Sequence, residues 1–142
     1  MCGCFTVWRR GACLTITAVD PQEAIEIPLS DEERHILRAG LAEWGGPAHC
    51  TEEFALAMGF KDVADLLSQC HRLNQALAVA EPLTRPDWAR TLLATELAFA
   101  SDSIGSGANW STTTGLSDAD TIRLLRGVQR KVARRGVWRR TE

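Results

Sequence analysis

The chain has 142 residues, a formal net charge of −2 and 45% hydrophobic residues. This length and composition suit one globular domain and exclude a disordered chain, which combines low hydrophobicity with high net charge. No apolar run approaches the roughly 18 residues that a membrane span needs, and the N-terminus lacks the regions of a signal peptide. We therefore expect one domain over residues 1–142, located in the cytoplasm and not in a membrane.

The arginine, lysine and cysteine content indicates the kind of genome that encodes the protein and the redox state of its compartment. Fourteen arginines against two lysines, together with abundant alanine and leucine, are typical of a GC-rich genome, and the alternative is that arginine serves bidentate contacts to carboxylate or phosphate. The five cysteines are odd in number and form no paired framework, which favours a reducing compartment. Two cysteine or histidine pairs at zinc-binding spacing are missing from the sequence, and we expect neither a metal nor a cofactor.

Residues 1–29 differ from the rest of the chain in composition. Residues 4–8 and 13–17 are rich in β-branched and aromatic side chains, and residues 9–12 between them can form a turn. This pattern predicts an N-terminal β-hairpin. Residues 24–27 can form a third short strand, which Pro28 would end.

Residues 30–142 carry repeated helix signals. Ser30 followed by Glu33 is a capping box, and the helix that it begins should run to about Trp44. Further helices are predicted to begin at Thr51, Asp62, Thr84 and Ser117 and to end near Gly59, Pro82, Ser101 and Arg135. The predicted fold is mainly α, a compact four- to five-helix domain with a small N-terminal β-hairpin.

The segment 102–116 is rich in glycine, serine and threonine, and it is long for a connection between two helices. Long loops in compact domains often bind ligands or partners, which makes Asp102, Ser106, Asn109 and Trp110 candidate binding residues. The alternative is a loop that packs on itself, with Trp110 as its anchor.

Two charged features stand out in the last predicted helices. Glu96 lies at the centre of an apolar arc, so we expect it to be buried and paired with Arg126 or Arg123 of the final helix. The final helix also carries a basic stripe opposite its apolar face, formed by Arg123, Arg126, Arg130 and Arg134. Such a stripe can bind phosphates, or it can be a solvated or salt-bridged surface.

No complete set of catalytic residues is recognisable, and the five tryptophans are of a type favoured in protein interfaces. The leading hypothesis is a non-enzymatic bacterial protein-interaction module, such as an adaptor, regulator or immunity-type protein, and possible homodimer. One alternative is a nucleic-acid-binding protein that uses the arginine-rich last helix. Another is a small-ligand binder or enzyme with a site around Glu96, Asp102 and the 103–115 loop. The candidate binding residues across these hypotheses are Glu96, Asp102, Ser106, Asn109, Trp110, Arg123 and Arg126.

Overall fold

The computed structural model describes residues 6–9, 12–15 and 20–139, and of the side chains those in 20–139. The described residues form six α-helices: α1 (Asp31–Glu43), α2 (Glu52–Ala57), α3 (Val63–Ala78), α4 (Arg85–Ala100), α5 (Trp110–Thr114) and α6 (Asp118–Arg134). The predicted mainly α fold is confirmed. The segment 102–116 is not wholly irregular, because a short 3-10 turn (Gly107–Asn109) and α5 lie within it.

The predicted helix starts are confirmed at the level of hydrogen bonds. Each capping side chain accepts from the backbone N–H three residues further on: Ser30 from Glu33, Thr51 from Phe54, Asp62 from Asp65, Thr84 from Asp87 and Ser117 from Asp120. At Ser30 the bond is reciprocal, since its own N–H donates to Glu33 Oε2 at 2.8 Å. A cap of this kind stabilises a helix by about 1 kcal/mol, so the helix boundaries are set locally.

Four short strands within the described residues form two antiparallel pairs. The N-terminal hairpin joins β1 (Thr6–Arg9) to β2 (Ala12–Thr15), whereas residues 4–5 and 16–17 of the predicted strands lie outside the described residues. β3 (Ala24–Ile25) pairs with β4 (Leu83–Thr84), a strand that the sequence did not indicate. Trp88 Nε1 donates to the Ile25 carbonyl at 2.9 Å and thereby holds β3 against α4.

Helix α1 lies at the centre of the helical body and packs against α3, α4 and α6. Its core-facing residues Ile36 and Leu37 are fully buried. The approach to α4 is close at Gly40, where a Cβ atom would lie 2.5 Å from Thr95 Cγ2. A glycine is therefore required for this contact between α1 and α4.

Candidate functional site

Trp110 anchors the segment 102–116 in the core. Its side chain is fully buried, and its indole Nε1 donates to Thr121 Oγ1 on α6 at 2.9 Å. Phe99 of α4 packs against it edge to face, with ring centroids 5.5 Å apart. The segment is thus fixed to both α4 and α6 by one aromatic side chain.

A buried carboxylate holds the same segment to α1. Glu43 is 7% exposed, and its Oε2 accepts hydrogen bonds from Ser106 Oγ and, at 2.9 Å, from Thr113 Oγ1. Sequence analysis missed Glu43. The position of Glu43 at the end of α1 could have identified it. An acidic residue in the last turn of a helix interacts unfavourably with the helix dipole and therefore needs hydrogen-bond donors to stabilise its charge.

The remaining polar residues of the segment divide by role. Asp102 Oδ1 accepts from the Ala108 N–H at 2.8 Å and closes the turn. Gly107 has a φ of +40°, and a Cβ there would lie 2.0 Å from Asp102 Oδ1. Asp102, Ser106 and Trp110 therefore make contacts that hold the segment together, whereas the side chain of Asn109 is exposed.

The predicted ion pair between Glu96 and Arg126 or Arg123 is wrong. Glu96 is only half-buried, and its Oε1 accepts from Gln129 Nε2 at 2.8 Å. Arg123 is 63% exposed and approaches Glu32 at 3.9 Å, while Arg126 forms no ion pair with the described residues. Because water still reaches the Glu96 carboxylate, a neutral amide donor is sufficient and no buried cation is needed.

Glu96 and Arg126 nevertheless line one cleft between α4 and α6. This α4–α6 cleft has a volume of about 290 Å³, and its apolar lining includes Phe99, Leu125 and Ile122. The side chain of Ile122 is 45% exposed. The cleft thus combines an apolar floor with one acidic and one basic side chain.

The outer side of α6 presents what we call the arginine face, formed by Arg123, Arg126, Arg130 and Arg134, all of them exposed. Among the described residues, no carboxylate lies within 4.0 Å of the last three. The arginines between α1 and α4 behave differently, since each has a partner: Arg34 with Leu77 O, Arg38 with Asn74, Arg72 with Asp87, Arg85 with Gly136 O, and Arg90 with Gly59 O and Asp87. Within the arginine face, Arg123 lies 3.6 Å from Asp120, whereas Arg126, Arg130 and Arg134 have no ion-pair partner among the described residues.

The side of α6 that faces α1 has its cation paired. Lys131 Nζ lies 2.5 Å from Glu33 Oε2, and the Glu33 side chain is 9% exposed. Burial by itself raises the pKa of Glu33, but the bonds from Lys131 and Ser30 outweigh it and lower that pKa below 4.5. Lys131 thus joins α6 to α1, whereas Arg126, Arg130 and Arg134 form no such contact with the described residues.

Cys70 lies on the buried side of α3, among the residues of the core. It is 3% exposed, and burial raises the pKa of its thiol to about 12. In residues 20–139, no group of three or more metal-binding side chains could hold an ion. Nor does any helix of the described chain have both the length and the apolar character to cross a membrane.

Comparison with known proteins gives no relative from which a role could be transferred. The chain matches no protein-family model, no curated protein and no solved structure. Within the described fold, the arginine face and the α4–α6 cleft are surfaces that carry charged side chains without an ion-pair partner.

Proposed function

We propose that this chain is a non-enzymatic protein-interaction module, of the adaptor, regulator or immunity type, and that the arginine face is its binding surface. The observation that carries the proposal is the contrast between partnered and unpartnered arginines. Arg126, Arg130 and Arg134 have no ion pair with described residues, whereas every arginine from α1 to α4 is hydrogen-bonded.

The spacing of these arginines works against the isolated helix. Arg126, Arg130 and Arg134 follow one another at four-residue intervals, a rise of about 6 Å each along α6. Like charges at this spacing destabilise a helix by a few tenths of a kcal/mol per pair. The helix dipole favours a cation only in the last turn, where Arg134 lies, so helix stability does not explain the repeated spacing and a role in binding accounts for it. Guanidinium groups bind carboxylates in a bidentate manner, so the partner is an acidic protein surface.

Apolar side chains beside the arginine face favour a protein partner over a nucleic acid. Ile122 is 45% exposed and Trp138 is 48% exposed, one near each end of α6. Arginine and tryptophan are the residues that dominate binding energy in protein interfaces. Nucleic-acid binding through α6 is the second candidate, and the experiment below separates the two.

The proposal includes the expected setting of the protein, a bacterial cytoplasm, and a homodimeric form. Support for a homodimer comes from α4, where Leu93, Leu97 and Phe99 pack against the core but stay only half-buried. Partly exposed apolar residues along one helix are typical of an interaction surface. The arginine face lies on α6, so both contacts can be made by one molecule.

The test is photo-cross-linking in cells that make the protein. A benzophenone amino acid replaces Arg130 in one variant and Lys61 in another, and both positions are exposed. We expect position 130 to capture a discrete protein that position 61 does not. The captured protein should then bind the purified wild-type chain, and the double variant Arg130→Gln/Arg134→Gln should weaken that binding at least tenfold, because two charge-assisted contacts are lost.

The control is Lys61→Gln, which removes one positive charge at an exposed position outside α6 and should leave the affinity unchanged. Adducts at position 130 that disappear on nuclease treatment would replace the proposal with the nucleic-acid alternative. Identical adduct patterns at positions 130 and 61 would show that the arginine face is not a binding surface.

A further inference from the structure

Helix α4 carries apolar side chains on two sides. One side, with Trp88 and Leu92, is buried in the core. The opposite side carries Leu93 and Leu97, which the described residues cover only in part, and Ala100, which is exposed. The described residues therefore leave part of the apolar surface of α4 uncovered, and an uncovered apolar surface of this kind is typical of an interaction site.

The α4–α6 cleft borders this uncovered side and carries one charge of each sign. Glu96 has the neutral Gln129 as its hydrogen-bond partner, and no cation of the described residues lies within 4.0 Å of it. Arg126 on the opposite wall of the cleft has no described carboxylate within that distance. Glu96 and Arg126 carry opposite charges but form no ion pair with each other.

We propose that the α4–α6 cleft is the contact with a second copy of this chain, in which Glu96 of each copy pairs with Arg126 of the other. A two-fold contact places the same patch of each molecule against itself, and a patch with one acid and one base then forms two reciprocal ion pairs. The exposed part of Ile122, with Phe99 beside it, would be buried at the centre of this contact. A partner that carried one sign of charge would satisfy only one of the two groups.

The inference deepens the proposed homodimer but does not depend on the partner of the arginine face. Arg126 occupies the flank of α6 next to α4, and Arg130 and Arg134 do not line the cleft. Their guanidinium groups therefore stay accessible in the dimer. Each dimer would present Arg130 and Arg134 of both copies to another partner, whereas Arg126 belongs to the dimer contact.

Reversal of the two charges tests the pairing. Glu96→Arg alone and Arg126→Glu alone each place like charges opposite one another across the two-fold axis, whereas the double variant restores opposite charges. In sedimentation equilibrium we expect a wild-type dimer in the micromolar range, a dissociation constant at least tenfold higher for each single variant, and recovery to within about threefold in the double variant. Ile122→Ser should also weaken the dimer, since it removes apolar area from the contact.

The matched control is Lys61→Glu, the same charge change at an exposed position outside α6 and outside the cleft, which should leave the dissociation constant unchanged. Circular dichroism at the same concentrations shows whether each variant is folded, and Ile122→Ser at an exposed position provides a second route if Glu96→Arg unfolds. A wild-type monomer throughout the micromolar range overturns both the homodimer and the pairing. A dimer that tolerates both single reversals overturns the pairing alone, and neither result bears on the cross-linking at position 130.

Discussion

Glu33 and Glu43, near the two ends of α1, are both 7% exposed, yet different donors stabilise their carboxylates. Glu33 accepts from the Ser30 N–H in its own helix cap and from Lys131 of α6. Glu43 accepts from two hydroxyl groups of the segment 102–116. A buried carboxylate without such donors would lower the stability of the fold. Each of these two glutamates therefore holds a part of the chain that is distant in sequence against α1.

Glu33→Gln should lower the free energy of unfolding by about 1–2 kcal/mol at neutral pH, because charge-assisted bonds to Lys131 and Ser30 become neutral ones. The pKa of Glu33 is lowered in the folded state, so its contribution to stability is complete above the ordinary value near 4.5. That contribution is lost as the pH falls through the lowered folded value. Urea unfolding of wild type and variant at neutral and acidic pH measures this, and the difference should shrink in acid.

Glu32→Gln is the control for this prediction, since the neighbouring Glu32 side chain is 71% exposed. It should leave the unfolding free energy nearly unchanged at both pH values. A stability difference between wild type and Glu33→Gln that is the same at both pH values would contradict the assignment of the effect to the Glu33 charge.

At the scale of the elements, the contact between α1 and α4 determines how closely the central helices pack. Thr95 lies against Gly40, and its hydroxyl donates to the Thr91 carbonyl at 2.8 Å within its own helix. The absence of a side chain at Gly40 lets the two backbones approach. Interiors are packed to near-crystalline density, so one added methyl group at such a point has to displace a helix.

Gly40→Ala should destabilise the protein by about 1–3 kcal/mol, although alanine favours an isolated helix by about 1 kcal/mol over glycine. The added Cβ would lie 2.5 Å from Thr95 Cγ2 and 2.8 Å from Thr95 Cα, and the second of these atoms cannot move without the helix. Thermal and urea unfolding measure the effect. Gly45→Ala is the control, with its nearest atom at 3.6 Å, and equal behaviour of the two variants would show that α1 and α4 do not pack this closely.

At the scale of the whole molecule, the segment 102–116 joins parts of the chain that are distant in sequence. The His49 N–H donates to the Ile104 carbonyl at 2.6 Å, and the Ser106 N–H donates to the Ala98 carbonyl at 2.7 Å. Trp110 and Glu43 fix the same segment to α6 and α1. The segment is consequently part of the packed body, and its opening would expose the interior.

Glu43→Ala should lower the free energy of unfolding by about 2 kcal/mol, because Ser106 loses its acceptor in a buried position. Amide hydrogen exchange should accelerate throughout residues 103–116 and much less in α3, which lies apart from this contact. Glu81→Ala, at an exposed position, is the control and should change neither quantity. Uniform acceleration along the chain would mean that Glu43 stabilises the whole fold and not this segment in particular.

The sequence by itself determined the elements whose causes are local. The caps at Ser30, Thr51, Thr84 and Ser117 each act on an N–H three residues away, so the helix starts could be predicted without any tertiary contact. The burial of Cys70 was predictable for a similar reason, because an apolar arc on one helix has to face the core.

Only the tertiary structure decided which distant residues meet. The apolar arc around Glu96 predicted burial and a cation, but the carboxylate stays half-buried and Gln129, 33 residues away, is its partner. A helical wheel gives the direction of a side chain about its own axis, and it contains neither the rotation nor the shift of α6 against α4. The pairing of β3 with β4 and the hydrogen-bond donors of Glu43 could not be predicted for the same reason. Each depends on how separate elements pack against one another and not on the sequence within one element.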